Sequence, residues 1–243
     1  MDSVGSFGAL LHPVGQLSAP FNPQNTDFLL ASSKPATVKP LALLGDGFLS
    51  DRQTLPEGGF GGFINETAAR GYLFRQWAPT YVRSGENSAL FLFSSSVVAG
   101  IPLAKLITSY LGDQLPWDDT SGRLWDVETC IHEATSNALL HGILELPPLS
   151  DLGFDAFDRL RLSRLNSPFR ARRTICVFAV WTEDRLQISI ENETQARAYD
   201  LHVDTEPTNK QHYSGRGLKL IRSMADHVKI SGDYSHIRID FSV

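Results

Sequence analysis

The sequence is poor in cysteine, has no excess of basic residues and contains no unbroken apolar run of membrane-spanning length. Only two cysteines occur in 243 residues. Cys130 and Cys176 both lie in apolar stretches, and two residues cannot supply the set of disulfides that staples small secreted domains. We predict that both are buried free thiols, which is typical of proteins from a reducing compartment.

The charge balance and the first residues exclude further classes of protein. The formal net charge is −5, whereas nucleic-acid-binding domains usually carry a basic excess. Residues 1–13 have no basic segment ahead of their apolar residues, so a secretory signal peptide is not expected. Residues 87–104 are uncharged, but serines, a glycine and a proline interrupt them, which favours a strand, a turn and a helix start. We therefore expect a cytoplasmic protein with no nucleic-acid or membrane partner.

The first 85 residues differ in composition from the rest. They hold more than half of the 19 glycines and of the 13 prolines. Residues 58–63, GGFGGF, indicate a loop, residues 39–48 indicate one short strand with a turn, and residues 65–82 have weak helical spacing. We predict that residues 1–85 are a Gly/Pro-rich N-terminal extension or accessory segment, and that residues 86–243 are the main domain.

Clear patterning begins near residue 86. Period-2 and aromatic-rich segments predict strands, and apolar residues at intervals of three and four predict helices. The predicted elements are a strand at 88–95, helices at 101–115, 126–142 and 154–165, strands at 174–181 and 185–192, a helix at 215–228, and strands at 229–231 and 236–243. Most of the strands are neighbours in this order. The order predicts an α+β two-layer sandwich in which helices cover one face of a mixed, mostly antiparallel sheet.

Residues 131–142, IHEATSNALLHG, place an acid, an amide and an imidazole on one stripe of the predicted helix, because Glu133, Asn137 and His141 are spaced by four. A zinc-protease helix is rejected, since Ser136 stands where the second histidine would be needed. Two interpretations remain at this point. The stripe is either the solvated face of a surface helix, or a nucleotide site in which the carboxylate polarises a hydroxyl group and the amide oxygen ligates Mg²⁺.

Residues 214–221, SGRGLKLI, form the second candidate element. Gly215 and Gly217 immediately precede a predicted helix, where backbone N–H groups and the positive helix end can approach phosphate oxygens. Arg216 adds a charged donor in the same turn. Taken alone, the segment is also compatible with an ordinary flexible helix entry.

The two motifs in this order, with a strand pair between them, resemble the N box and the second glycine box of the GHKL ATPase superfamily, which includes gyrase and histidine kinase types. Within it, EATSNALLHG and GRGLKLI are most similar to the small anti-sigma-factor serine kinases of bacterial partner-switching systems. The resemblance covers about residues 86–243 and implies the Bergerat ATP-binding fold, with ATP and Mg²⁺ as cofactors. It assigns roles to site residues: Glu133 as general base, Asn137 as Mg²⁺ ligand, His141 in the site, and Gly215, Arg216, Gly217 and Leu218 around the phosphates.

One motif of the family is degenerate in this sequence. Between the two boxes the family places Asp-x-Gly-x-Gly, whose aspartate accepts the adenine amino group, and no such motif occurs in residues 182–214. By register, Asn192 stands for the aspartate and Thr194 for the first glycine. Asn192 is neutral but can still accept a hydrogen bond. Thr194 is β-branched and adds bulk where the purine edge should lie, so the resemblance implies an impaired adenine pocket.

Two function hypotheses follow. The first is a bacterial regulator of the serine/threonine kinase type that binds ATP and Mg²⁺ and phosphorylates or sequesters a protein partner, such as a sigma factor, an anti-sigma antagonist or a response regulator. The second is a pseudokinase that keeps the fold as a nucleotide-independent protein-binding module. A homodimer is compatible with both hypotheses. The arginine-rich segment 159–173 is predicted to be a solvated helix face and strand lead-in, although an acidic partner is an alternative.

Overall fold

The structure is a computed structural model. It describes residues 11–14, 39, 41–46, 60–84, 87–115, 117, 122–193, 215–232 and 234–242. Within these residues the strands form one sheet of eight members in the order β1-β2-β3-β4-β5-β6-β8-β7. The strands are β1 Leu11–Val14, β2 Leu41–Leu44, β3 Gly62–Asn65, β4 Ser88–Ser94, β5 Thr174–Trp181, β6 Arg185–Asn192, β7 His227–Ile230 and β8 His236–Ser242.

The sheet is mixed. Strands β1 to β4 pair in parallel, whereas β4–β5, β5–β6, β6–β8 and β7–β8 pair antiparallel. The predicted α+β sheet class is therefore confirmed. The described helices are α1 Glu66–Ala69, α2 Tyr72–Ser84, α3 Ser95–Val98, α4 Leu103–Gly112, α5 Arg123–Asn137, α6 Leu149–Leu152, α7 Phe154–Leu165, α8 Pro168–Ala171 and α9 Gly215–Met224.

One face of the sheet packs against the helices that follow β4. Side chains of successive strand residues point to opposite faces, and Phe91, Val177 and Ile188 all project to this side. Helices α4, α5 and α9 contribute buried apolar residues to the same core, among them the fully enclosed Val127 and Ile221, and α7 packs partly buried residues against it. This is the helical layer that the sequence predicts for residues 86–243.

The other face of the sheet is covered by α1 and α2, which lie where the sequence has weak helical spacing at 65–82. The sequence analysis did not predict that they would cover this face. Leu90, Leu92 and Phe178 project to this side and form a second buried core with α2 residues such as Leu73 and Phe74. Burial of this apolar area removes the second face of β2 to β5 from water, because a sheet left bare here would expose a large hydrophobic patch.

Strands β2 and β3 come from the segment interpreted as an extension, yet they continue the sheet directly from β4. Gly62 allows the close approach of β3 to β4, since a methyl group there would overlap the Leu90 carbonyl and its φ of +148° is rarely adopted by other residues. The sheet thus runs across the predicted boundary at residues 85 and 86. The strand and turn predicted at 39–48 correspond to β2 and Asp46.

The central helix departs from its predicted form. It begins at Arg123 and ends as an α-helix at Asn137, and a single π-helical turn, Ala138–Ile143, continues it. Gly142, the last residue of the helix predicted at 126–142, lies inside that turn. Single π-turns of this kind are frequent at functional sites. In the described part of the chain, no helix combines the length and the apolar character required to cross a membrane.

Candidate functional site

Antiparallel packing of α9 on α5 builds the site. The Arg123 side chain, at the start of α5, donates to the Met224 carbonyl at the end of α9 over 2.9 Å. Midway, the Cys130 Sγ lies 3.9 Å from the Ile221 carbonyl. The same antiparallel order places the start of α9 against the end of α5, where Glu133 and Asn137 lie.

The two predicted motifs are in contact at Gly217. A methyl group built on Gly217 would lie 2.5 Å from Glu133 Oε2 and 3.2 Å from Asn137 Nδ2. The acid and the amide of the central helix therefore face the glycine turn that opens α9. Glu133 and Asn137 are half-buried, so this region is neither a solvated helix face nor a closed core.

Asn192 and Gly142 form the opposite end of this arrangement. Asn192 is the last residue of β6 and is 5% exposed. Its backbone N–H donates to the Ser235 carbonyl over 3.0 Å. A methyl group on Gly142 would lie 2.9 Å from Asn192 Cγ, so only glycine leaves room for the amide. The buried Asn192 Nδ2 has no hydrogen-bond partner among the described residues.

The remaining predicted site residues are placed differently. His141 Nδ1–H donates to the Leu146 carbonyl over 2.8 Å, which ties the imidazole to the chain leaving the helix. The Leu218 side chain is partly buried and packs against the core below α9. Arg216 is exposed in the first turn of α9, which begins at Gly215. The roles of these residues stay predictions.

Thr194, predicted to stand where the family has its first glycine, lies outside the described residues. Its described neighbour Glu193 has a structural role that the sequence did not reveal. Glu193 Oε1 accepts from the Tyr72 backbone N–H at the start of α2, and its Oε2 accepts from the Thr174 N–H, both over 3.1 Å. The end of β6 is thereby fastened to the opposite helical layer.

Glu191 makes a second contact with that layer. Its carboxylate accepts from Trp77 Nε1 over 2.8 Å, and from Gln76 Nε2. Period-2 alternation could have placed Glu191 and Glu193 on the face opposite Asn192. No local signal identifies α2 as their partner, because that contact joins residues more than 100 positions apart.

The arginine-rich segment is largely engaged within the molecule. Arg164 donates to the carbonyls of Leu144 and Glu145, and Arg170 forms an ion pair of 2.8 Å with the Glu145 carboxylate. Arg173 is 7% exposed and lies over the Phe169 ring. These contacts fasten α7 and α8 to the exit of the central helix, so Arg164, Arg170 and Arg173 have a structural role and do not belong to the predicted solvated face.

Both cysteines are free and fully buried, as predicted. Burial is the main cause that raises the pKa of the Cys130 thiol to about 12. Burial also raises the pKa of Cys176 well above its usual value. Neither thiol is therefore a nucleophile of the site at neutral pH.

No three His, Cys, Asp or Glu side chains cluster as metal ligands in the described ranges. A divalent ion at this site would therefore depend on few protein ligands, with Asn137 as one of them. That is the usual arrangement for Mg²⁺, which keeps several waters and binds substrate phosphates. The half-buried carboxylate and amide, and the turn that only glycine fits, are compatible with a phosphate-bearing ligand and its magnesium.

The mixed sheet, its helical layer and the meeting of Glu133, Asn137 and Gly217 are consistent with an ATPase domain of the GHKL type. Comparison with known protein families matches residues 114–241 to the histidine kinase-like ATPase domain. The match covers more than half of the chain, and the protein belongs to this family. Membership implies a domain that binds ATP, typically with Mg²⁺. Among curated proteins no match was found.

Proposed function

We propose that the protein is an ATP- and Mg²⁺-binding signalling regulator of the anti-sigma-factor serine/threonine kinase type. In this proposal it phosphorylates or sequesters a protein partner, which is a sigma factor, an anti-sigma antagonist or a response regulator. The observation that carries the proposal is the position of Gly217, whose missing side chain leaves space for Glu133 and Asn137.

Each of these groups has a defined task in phosphoryl transfer. ATP supplies a phosphoryl group that is already activated for transfer, so the protein needs mainly to position groups and neutralise charge. The Glu133 carboxylate would take the proton from a serine hydroxyl of the partner. The Asn137 amide oxygen would ligate Mg²⁺, and the N–H groups of Gly215 and Gly217 at the positive end of α9 would hold phosphate oxygens.

A second candidate function is the nucleotide-independent pseudokinase. It is supported by Asn192, a neutral residue where the family has an aspartate, and by the absence of the Asp-x-Gly-x-Gly motif from residues 182–214. In this alternative the domain binds its protein partner through the retained fold alone. The two candidates differ in whether any nucleotide binds.

Calorimetric titration with Mg²⁺ and a non-hydrolysable ATP analogue separates the two candidates. We expect the wild-type protein to bind and Asn137→Ala to lose most of the binding, because a Mg²⁺ ligand is removed. No heat from the wild-type protein at millimolar ligand would contradict the kinase proposal and leave the pseudokinase.

A second variant tests the catalytic task of Glu133. Glu133→Gln should bind the ATP analogue as the wild-type protein does, but nucleotide turnover should fall about 100-fold or more, since the general base is lost. Glu128→Gln removes an acid from the same helix, away from the Glu133 stripe, and is the matched control. Turnover that survives in Glu133→Gln would show that this carboxylate is not the base.

A further inference from the structure

The Asn192 side chain is a buried polar group whose amide nitrogen makes no hydrogen bond to the described residues. The residue is 5% exposed, and its buried Nδ2 has no hydrogen-bond partner among the described residues. Its backbone is held in the sheet by the Ile175 pairing and by the Ser235 carbonyl, so the amide cannot leave the interior easily. Buried amides normally have partners, and the unmet Nδ2, which lies beside Gly142, points to a ligand group that the described residues do not supply.

The position of Asn192 identifies the part of the ligand that it would meet. Gly142, which touches the amide, is five residues beyond Asn137 and nine beyond Glu133 along the central helix. With the α-helical rise of 1.5 Å per residue as an upper limit, because Ala138–Ile143 is a π-helical turn, the distances are at most about 7 and 14 Å, comparable with the length of a nucleotide from phosphates to base. A nucleotide whose phosphates lie at Gly217 would therefore bring its base to Asn192.

The chemistry of the amide differs from that of a carboxylate in this place. An ionised carboxylate only accepts hydrogen bonds, so it pairs with the 6-amino group of adenine and repels the 6-oxo group of hypoxanthine or guanine. An amide has one acceptor and one donor side. It can accept from the 6-amino group while it donates to N1, and after a half-turn it can donate to the 6-oxo group while it accepts from N1–H.

In the structure Nδ2 is the amide atom nearer to Gly142, but no described hydrogen bond to Nδ2 holds the amide in that orientation. The neighbouring Gly142 has no side chain, and no described group hydrogen-bonds to Nδ2. We propose that Asn192 makes the site tolerant of the purine, so that 6-oxopurine nucleotides bind about as well as 6-aminopurine nucleotides. The proposal rests on the proposed nucleotide-binding function and names the ligand class of the same site.

Comparison of ADP with inosine diphosphate tests the proposal on the full chain, because the two ligands differ only at position 6 and the adjoining N1. Calorimetric titration in the presence of Mg²⁺ should give Kd values within about threefold of each other, because the amide makes two hydrogen bonds to either base. It bonds the 6-amino group and N1 of adenine, or the 6-oxo group and N1–H of hypoxanthine. Tighter binding of ADP by tenfold or more would overturn the proposal while leaving nucleotide binding intact.

Asn192→Asp provides the complementary measurement. In this variant the affinity for inosine diphosphate should fall at least tenfold relative to the affinity for ADP, because the carboxylate repels the 6-oxo group. Asn166→Asp makes the same amide-to-acid change at an exposed position after α7 and should leave the ratio unchanged. An unchanged ratio in folded Asn192→Asp would contradict the proposal. If neither diphosphate nor ATP binds the wild-type protein, the nucleotide function fails along with this inference.

Discussion

Gly217 shows how a single residue can define the site by having no side chain. Its backbone lies in the first turn of α9, where alanine would ordinarily be favoured over glycine. The space that a methyl group would occupy borders on Glu133 Oε2 and Asn137 Nδ2. Glycine at this position therefore lowers the helix propensity, but it allows the carboxylate and the amide to lie close to the start of the helix.

Gly217→Ala should separate stability from function. The nearest atom to the added methyl is the end of the flexible Glu133 side chain, which can move aside, so the free energy of unfolding should change by less than about 1 kcal/mol. Binding of Mg²⁺ and the ATP analogue should weaken at least tenfold because the displaced carboxylate fills the phosphate region. Chemical denaturation and calorimetry measure the two effects.

Gly232→Ala is the control for that variant, because a methyl group there would have no neighbour within 4 Å among the described residues. It should leave both the unfolding free energy and the ligand affinity close to their wild-type values. Wild-type affinity in Gly217→Ala would contradict the assignment of this turn to the phosphates.

At the scale of the elements, the site depends on the register between α5 and α9. The Arg123 guanidinium holds the far end of the helix pair through the Met224 carbonyl and the Asp226 carboxylate, the latter at 2.6 Å. Asp226 also accepts from the Ser242 N–H at 2.5 Å, which links the helix pair to the end of β8. This cluster lies two to three helical turns from Glu133 and sets the position of α9 from a distance.

The Asp226 cluster should weaken in acid. The Ser242 N–H, and the Arg123 guanidinium with it, hold the pKa of the Asp226 carboxyl below its usual 3.8. Because the folded-state pKa is the lower one, this contribution is complete above the unfolded-state pKa and is lost as the pH falls through the folded-state value. The Asp226 side chain is 39% exposed, so its contacts contribute at most about 1 kcal/mol to the free energy of unfolding, and salt screens this contribution.

Asp226→Asn tests this expectation. Its deficit in unfolding free energy relative to the wild-type protein should be present at neutral pH and should shrink as the pH falls below about 4. Asp113→Asn removes one exposed negative charge after α4 and controls for net charge. A deficit that grows in acid, or that is the same at every pH, would show that the Asp226 carboxylate does not act through its charge.

At the scale of the whole molecule, the sheet joins two helical layers into one structure. The N-terminal layer rests on the face that carries Leu90 and Phe178, and the layer with the candidate site rests on the other face. The two buried cysteines lie on opposite faces, Cys176 under α2 and Cys130 beside α9. They can therefore report the opening of the two layers separately.

Phe74→Ala should destabilise the entire molecule and not the N-terminal layer alone. Phe74 is fully buried in α2, and loss of a buried phenylalanine costs about 3 to 5 kcal/mol. Because the layers share one sheet, both cysteines should become reactive towards a thiol reagent at the same, lowered denaturant concentration. Mass spectrometry of the labelled peptides shows which of the two cysteines has reacted.

Tyr72→Ala is the matched control on the same helix, because Tyr72 is 68% exposed and its loss should change stability by about 0.5 kcal/mol or less. If Phe74→Ala exposes Cys176 well before Cys130, the N-terminal layer unfolds by itself. The predicted boundary at residues 85 and 86 would then be a true limit of cooperativity.

Much of the molecule was predictable because its signals are local. Alternating apolar residues in 185–192 predict β6, helical spacing in 101–115 predicts α4, and the two motifs around Asn137 and Gly217 predict the family. The accessory interpretation of the first 85 residues rested on composition, which is enriched in glycine and proline. It could not reveal that 41–44 and 62–65 pair with a strand further along the chain, since strand pairing depends on partners and not on the strand alone.

The sequence by itself determined the family and most of the longer elements after residue 86, because periodicity and motif spacing depend on residues that are near one another in the chain. Only the tertiary structure decided that Gly142 makes room for Asn192, that Glu191 and Glu193 fasten the end of β6 to α2, and that α9 runs antiparallel to α5. Each of these is a contact between residues far apart in the chain. A local sequence pattern does not distinguish between the possible partners of such a contact. The partner is determined by close packing in the folded protein.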